Sequence, residues 1–124
     1  MTSEDKITLA AGMIFLKYGY HATTLAAIAD LAHVSKAAIH YYFRSKDKLY
    51  SVVLKNLFSV NLNLTNPDLR VIYFLSVEMR TNKIMLISCL KKSGIKEPDK
   101  FVKSILSSKN ISRLGELYFY DEQL

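Results

Sequence analysis

Apolar residues recur along the first half of this chain at the three- and four-residue spacing of helices, with polar or glycine-bearing breaks between the runs. Ile7, Ala10, Ala11, Ile14, Phe15 and Tyr18 make the first run. Thr2 and Ser3 precede it as cap, Glu4 and Asp5 supply first-turn acids, and Gly19 is its stop. The same helix is also apolar at Leu9, Met13 and Leu16, which predicts contact on two sides and a central place in a small bundle. After a connector over 20–23, Thr24 caps a second helix with a narrow stripe of Leu25, Ile28, Ala29 and Ala32. His33, Val34 and Ser35 form a turn, and Ser35 caps a third helix in which Ile39 and Phe43 are an i, i+4 core pair. Ser45 caps a fourth helix, with Asp47 in its first turn and Leu49, Val52, Val53 and Leu57 on its core side, running to about Val60.

The clearest break is Asn66-Pro67, because the residue before proline is pushed away from helical geometry. Helices are predicted beyond it from Asp68 to Arg80 and from Lys83 to Lys92, the latter stopped by Ser93-Gly94. A shorter one is predicted from Pro98 through Leu106, and a last apolar cluster spans Leu114 to Tyr120. No strand-like alternation or internal repeat appears. The predicted class is all-α: a three-helix helix-turn-helix bundle over residues 1–58 with a long linking helix, then a short, incomplete helical region over residues 59–124.

The chain has 124 residues and a formal charge of +6, which suits a polyanionic partner but is also an ordinary device for solubility. Residues 1–58 carry seven Lys and Arg against four acids, and residues 59–124 carry ten against seven. Each part is therefore +3, so any recognition of DNA must come from placement. Cys89 is the only cysteine and lies within an apolar run, which excludes an internal disulfide and predicts a buried, inert thiol. The acidic N-terminus is unlike a signal peptide, and the apolar runs are too short for a membrane span. A soluble, cytoplasmic protein with no membrane partner is the expectation.

The third helix carries the candidate chemistry. With Ile39 at zero, Phe43 falls at about 40° and Tyr42 at about 300°, beside the core. Ala37 falls at about 160°, Tyr41 at about 200°, Arg44 at about 140° and His40 at about 100°, around the opposite side. A solvated face would accommodate these polar groups, but it would gain nothing from exposed aromatics. Small Ala37 and Ala38 allow close approach to base edges. Lys36 can hydrogen-bond a guanine or a phosphate, and Tyr41 can offer its ring to a thymine methyl and its hydroxyl to a base edge. His40, Tyr42 and the amides at Thr24 and Ser45 suit phosphate oxygens. Lys46, at the positive end of the fourth helix, suits a phosphate clamp.

The stretch GYHATTLAAIADLAHVSKAAIHYYFRSKDKLYSVVL resembles the helix-turn-helix domain of the TetR family of bacterial transcription regulators. The matching residues are Gly19, Tyr20, Thr23, Thr24, Ile28, Ala29, Ala32, Val34, Ser35, Lys36, Tyr42, Phe43, Lys46 and Leu49, within roughly residues 5–58. The resemblance implies a repressor that binds a palindromic double-stranded operator as a dimer. It places Lys36, Ala37 and Tyr41 where the family reads bases, and Thr24, His40, Tyr42 and Lys46 where it holds the backbone. Three positions depart from the family pattern. His33 stands where glycine is usual and a left-handed backbone is favoured, which histidine tolerates at some cost. His40 replaces the usual tyrosine and would grip a phosphate more strongly when protonated. Ala26 replaces a longer base-reading side chain found in some members.

No catalytic or metal site is predicted: His21, His33 and His40 have no ligand spacing with carboxylates or Cys89, and no cofactor is implied. An enzyme is not expected. The 66 residues after Phe58 are about half of what the family usually places there, so a small-molecule inducer is doubtful. Val71, Ile72, Phe74, Leu75, Ile84, Leu86, Ile87, Ile105, Leu106, Leu117 and Phe119 read as packing surface rather than a ligand pocket. Two explanations stand side by side. The chain is a short regulator that dimerises through apolar C-terminal helices, or a truncated product that pairs with a full-length relative as an interaction module.

Overall fold

The computed structural model describes residues 1–59 and 66–116, and every regular element among them is helical. The predicted ends of the fourth helix at Val60 and of the last cluster at Leu117–Tyr120 lie outside the described residues. Helix α1 (Ser3–Ala22) opens with a reciprocal capping box: the Asp5 amide donates to Thr2 Oγ1 at 3.1 Å, and the Thr2 amide donates to Asp5 Oδ2 at 3.3 Å. Its helical geometry breaks at Gly19 (φ 82°), after which one more turn leads to Thr23, whose buried hydroxyl donates to the Gly19 carbonyl at 2.6 Å. Helices α2 (Leu25–Ala32) and α3 (Lys36–Phe43) follow, and α4 (Lys46–Ser59) closes the N-terminal bundle.

Helix α5 (Leu69–Thr81) lies across α1 and buries Val71, Ile72, Phe74, Leu75 and Glu78. Helix α6 (Lys83–Lys92) packs on α4 through Leu86, Cys89 and Leu90, with the Ser51 hydroxyl 3.0 Å from Cys89 Sγ. Gly94 (φ 100°) turns the chain into α7 (Pro98–Ile105), whose Pro98 stands in the first turn, where its missing N–H costs nothing. Phe101 meets Phe58 of α4 edge-on at 5.2 Å. A short α8 (Ser108–Ser112) follows, an element that sequence patterning misses because it has no apolar stripe. It is held by Asn110 Nδ2 donating to the Ile105 carbonyl at 2.9 Å. Arg113 then donates to the Pro67 carbonyl at 2.9 Å and ties this end of the fold to the start of α5. One core cluster of buried residues therefore runs from Ile7 to Ile105.

Three expectations about packing are corrected. Among the described residues the second apolar side of α1 is only partly covered: Leu16 packs on the core, but Leu9 is 56% and Met13 57% exposed beside a hollow of about 960 Å³ next to α4. Ile84 is 88% exposed rather than packed, since it stands about 200° around α6 from Leu86. On α4, Tyr50 and Leu54 are fully buried alongside Leu49 and Val53, because this helix is held between α1 and α6. Val52 and Leu57 are only partly covered and border the hollow. The apolar residues Val71, Ile72, Phe74, Leu75 and Leu86 are spent inside this core and are not free to meet a partner.

Candidate nucleic-acid interface

The turn between α2 and α3 is built as a left-handed cap. His33 has φ 58° and ψ 44°, its amide reaches the carbonyls of Ala29 and Asp30, and the Val34 amide returns to the Ala29 carbonyl at 3.1 Å. Polar caps fix both helices of the pair. Thr24 Oγ1 accepts from the Ala27 amide at 3.1 Å, and Ser35 Oγ accepts from the Ala38 amide at 3.1 Å. Below them Ile28, Ala29, Ala32, Ile39 and Phe43 are all buried, so α3 is set rigidly on the bundle.

Lys36, Ala37, His40, Tyr41 and Tyr42 are all exposed on that helix, Tyr41 most among the large residues at 76%. The two tyrosine rings meet edge-on at 5.0 Å, which restrains them at little entropic cost on binding. His40 is not wholly free, since its Nδ1 lies 3.4 Å from the Arg44 carbonyl at the end of its own helix. Arg44 itself takes φ 72°, a positive-φ position that its residue type does not advertise. Ser45 Oγ then accepts from the Lys48 amide at 3.1 Å and starts α4 within one turn of the α3 end. Thr24 and Ser45 each stand at the start of a helix, where backbone N–H groups favour an anion in general.

Lys46 stands apart from the other predicted anchors. Its Nζ lies 4.1 Å from the centroid of the Tyr20 ring, partly buried, and the Tyr20 hydroxyl hydrogen-bonds Asp47. Burial lowers the affinity of the Lys46 ammonium for its proton, against the opposing pull of Asp47 and Glu78. Burial, and then Asp47, push the Tyr20 hydroxyl up to about 12. The charge is thus held in one position rather than swinging on a free stem. This Tyr20–Lys46–Asp47 group is what residue-by-residue reading missed. The basic residue and the aromatic are each visible in the sequence, but their contact spans two helix boundaries.

A buried carboxylate supports the group from behind. Glu78 of α5 accepts from the Tyr50 hydroxyl at 2.6 Å and from the Tyr20 amide at 3.3 Å, just past the break at Gly19. His21 adds a second link from this turn to α5, with Nε2 2.9 Å from the Thr81 carbonyl.

Residues 7–53 match the family described as bacterial regulatory proteins, tetR family. That match is confined to the N-terminal helix-turn-helix region, α1 to α4. Similar proteins agree with that placement. The HTH-type transcriptional regulator RutR of Escherichia coli (strain K12) is 39% identical over 61 residues, covering 48% of this chain and 29% of that protein. The HTH-type transcriptional regulator QacR of Staphylococcus aureus (strain Mu50 / ATCC 700699) is 39% identical over 54 residues, 44% of this chain and 29% of that protein. The biofilm operon icaADBC HTH-type negative transcriptional regulator IcaR of Staphylococcus aureus (strain Newman) is 32% identical over 77 residues, 56% of this chain and 41% of that protein. The chain thus spans well under half the length of these relatives. Among the described residues no group of His, Cys, Asp and Glu could hold a metal ion, and no helix is long and apolar enough to cross a membrane.

Proposed function

We propose that this protein is a sequence-specific DNA-binding regulator of transcription, acting as a repressor on a palindromic operator with two copies of the chain. The observation that carries this reading is the outward face of α3. Lys36, Ala37 and Tyr41 stand exposed there on a helix whose other side is locked by buried Ile39 and Phe43. In this reading those three side chains read base edges in the major groove, while Thr24, His40, Tyr42 and Lys46 hold phosphates on either side. Two recognition helices about 34 Å apart are needed to read both halves of a palindrome. The transcriptional regulators named above, one of them a negative regulator, support the same reading.

The test is a mobility shift on the DNA flanking the gene for this protein, with the mass of the complex measured by light scattering. Specific retardation by two chains per site supports the proposal. Binding that is blind to sequence and steeply salt-sensitive sinks it.

A further inference from the structure

Glu78 is the one buried acid among the described residues, and it stands on α5, beyond the stretch 7–53 that matches the family. Its Oε1 accepts from the Tyr50 hydroxyl at 2.6 Å and from the Tyr20 amide at 3.3 Å, and its Oε2 lies 3.4 Å from the same amide. The two residues it holds are also in ring contact, Tyr20 and Tyr50 meeting edge-on at 5.0 Å. Phe15 completes the group, parallel to the Tyr20 ring at 6.2 Å and edge-on to Tyr50 at 5.2 Å. The backbone and ring of Tyr20 are therefore fixed from inside the fold, and that ring carries the Lys46 ammonium at 4.1 Å. Glu78 also acts on the ammonium through its charge: burial lowers the hold of Lys46 on its proton, and Asp47 and then Glu78 oppose that. What a carboxylate adds here over an apolar side chain is a fixed place for the Tyr20 amide and a charge that draws Lys46.

We propose that Glu78 is a positioning residue for the DNA grip: through Tyr20 it holds the Lys46 ammonium where that charge meets a phosphate. The line of contact runs from Glu78 on α5 to the Tyr20 amide just past Gly19, through the Tyr20 ring, and to Lys46 at the start of α4. A helix outside the family-matched stretch thereby contributes to binding without touching DNA. An ammonium already held in place gives up less freedom on meeting a phosphate than one on a free four-carbon stem. The inference rests on the reading of Lys46 as a phosphate anchor, and the two are separable because the place of the ammonium can be read without DNA.

Two measurements on the full chain test it. The first is the NMR shift of the Lys46 protons next to the ammonium, which the Tyr20 ring current should move upfield. Tyr20→Leu should abolish that shift, Glu78→Ala should reduce it strongly, and Glu78→Gln, which keeps one acceptor and the size of the side chain, should reduce it less. The second is affinity for two duplexes of unrelated sequence at several salt concentrations. Glu78→Ala should weaken both alike, by about threefold at low salt, the scale of an ammonium–ring contact near the surface. In a Lys46→Ala background it should weaken neither further. Val102→Ala controls for stability, since Val102 is fully buried on α7 outside this group. It should lower the melting temperature and leave the Lys46 shift and the affinities as they are. An unchanged Lys46 shift in the Glu78 variants overturns the proposal, as does a loss of shift or affinity that Val102→Ala reproduces. If Lys46→Ala lowers the salt dependence and the Glu78 variants leave affinity intact, the proposal alone falls. If Lys46→Ala leaves the salt dependence unchanged, the phosphate reading of Lys46 fails and takes the proposal with it.

Discussion

Glu78 on α5 accepts a 2.6 Å hydrogen bond from the hydroxyl of Tyr50 on α4, and both side chains are fully buried. The same carboxylate receives the Tyr20 amide and stands where a side chain on Gly19 would have to go: a Cβ there would lie 3.0 Å from Glu78 Oε2. One buried acid therefore fastens α5 to the turn that leads into the helix pair and to the helix that follows it.

Removing that acid should be costly. Glu78→Ala leaves the Tyr50 hydroxyl and the Tyr20 amide without their partner, and each stranded buried group costs about 1–3 kcal/mol. Glu78→Gln keeps one acceptor oxygen, which in Glu78 receives both groups at Oε1, and should cost less. Gly19→Ala should lose at least about 1 kcal/mol, since φ 82° is a region that side chains rarely adopt and the new methyl crowds the carboxylate. Urea denaturation of the two single variants and of Gly19→Ala with Glu78→Ala checks the coupling. The double variant should lose less than the sum, because the crowding disappears with the acid while the backbone strain stays.

His33 tests the backbone alone. It is exposed, it sits at φ 58° and ψ 44°, and no hydrogen bond to its ring appears among the described residues, so its replacement changes little besides the backbone. His33→Gly should raise stability by up to about 1 kcal/mol, the relief of left-handed strain being partly offset by the added freedom of glycine in the unfolded chain. His33→Val should lower it, because branching at Cβ makes this conformation worse. Thermal melts of the two variants should move in opposite directions. A fall with glycine would contradict the account of this turn.

Alkaline pH should weaken the fold in a particular window. Burial, and then Asp47, push the Tyr20 hydroxyl up to about 12, and burial, and then Glu78, also push the Tyr50 hydroxyl up. Both groups hold their proton more tightly in the folded chain than tyrosine does when unfolded, near pH 10. Their contribution is intact below about pH 10 and is lost as the pH climbs through the folded-state values, since the native state then binds more protons than the unfolded one. Denaturation midpoints should be level up to about pH 9 and fall beyond about pH 10, and Tyr20→Phe should make that fall shallower. A slope unchanged in Tyr20→Phe would remove Tyr20 from the effect.

The helix pair was legible because its signals are local. Thr24 and Ser35 sit one residue ahead of their helices, Gly19 marks a positive φ, and Ile39 with Phe43 declares the buried side of α3. What stayed hidden depends on distance along the chain or on residue type. Glu78 lies 58 residues from the Tyr20 amide, and an acid amid apolar neighbours reads as a solvated position until its partners are seen. The place of Lys46 at the start of α4 can be read from the sequence but its ammonium resting on Tyr20 cannot, because periodicity says nothing about where a flexible stem lies. Leu9 and Met13 read as apolar in the sequence, yet only the course of α5 shows that among the described residues they are left exposed.

Tyr41 and Lys46 should affect DNA binding in different ways. Tyr41 is 76% exposed on the outward face of α3, so on the proposed reading Tyr41→Ala removes a base contact without disturbing the core. It should bring the affinities for operator and unrelated DNA closer together, by about 1–3 kcal/mol for a lost base contact. On the same reading Lys46→Ala removes a phosphate-facing charge at the start of α4 and no base contact. It should weaken all sequences alike and reduce the slope of log affinity against log salt by about one. The ring of Tyr20 holds the Lys46 ammonium at 4.1 Å, so Tyr20→Leu should weaken binding in the same sequence-blind way by leaving that charge free to swing. Titrations of operator and scrambled duplexes at several salt concentrations separate these effects. Equal loss of specificity from Tyr41→Ala and Lys46→Ala would overturn the division into a reading edge and phosphate anchors.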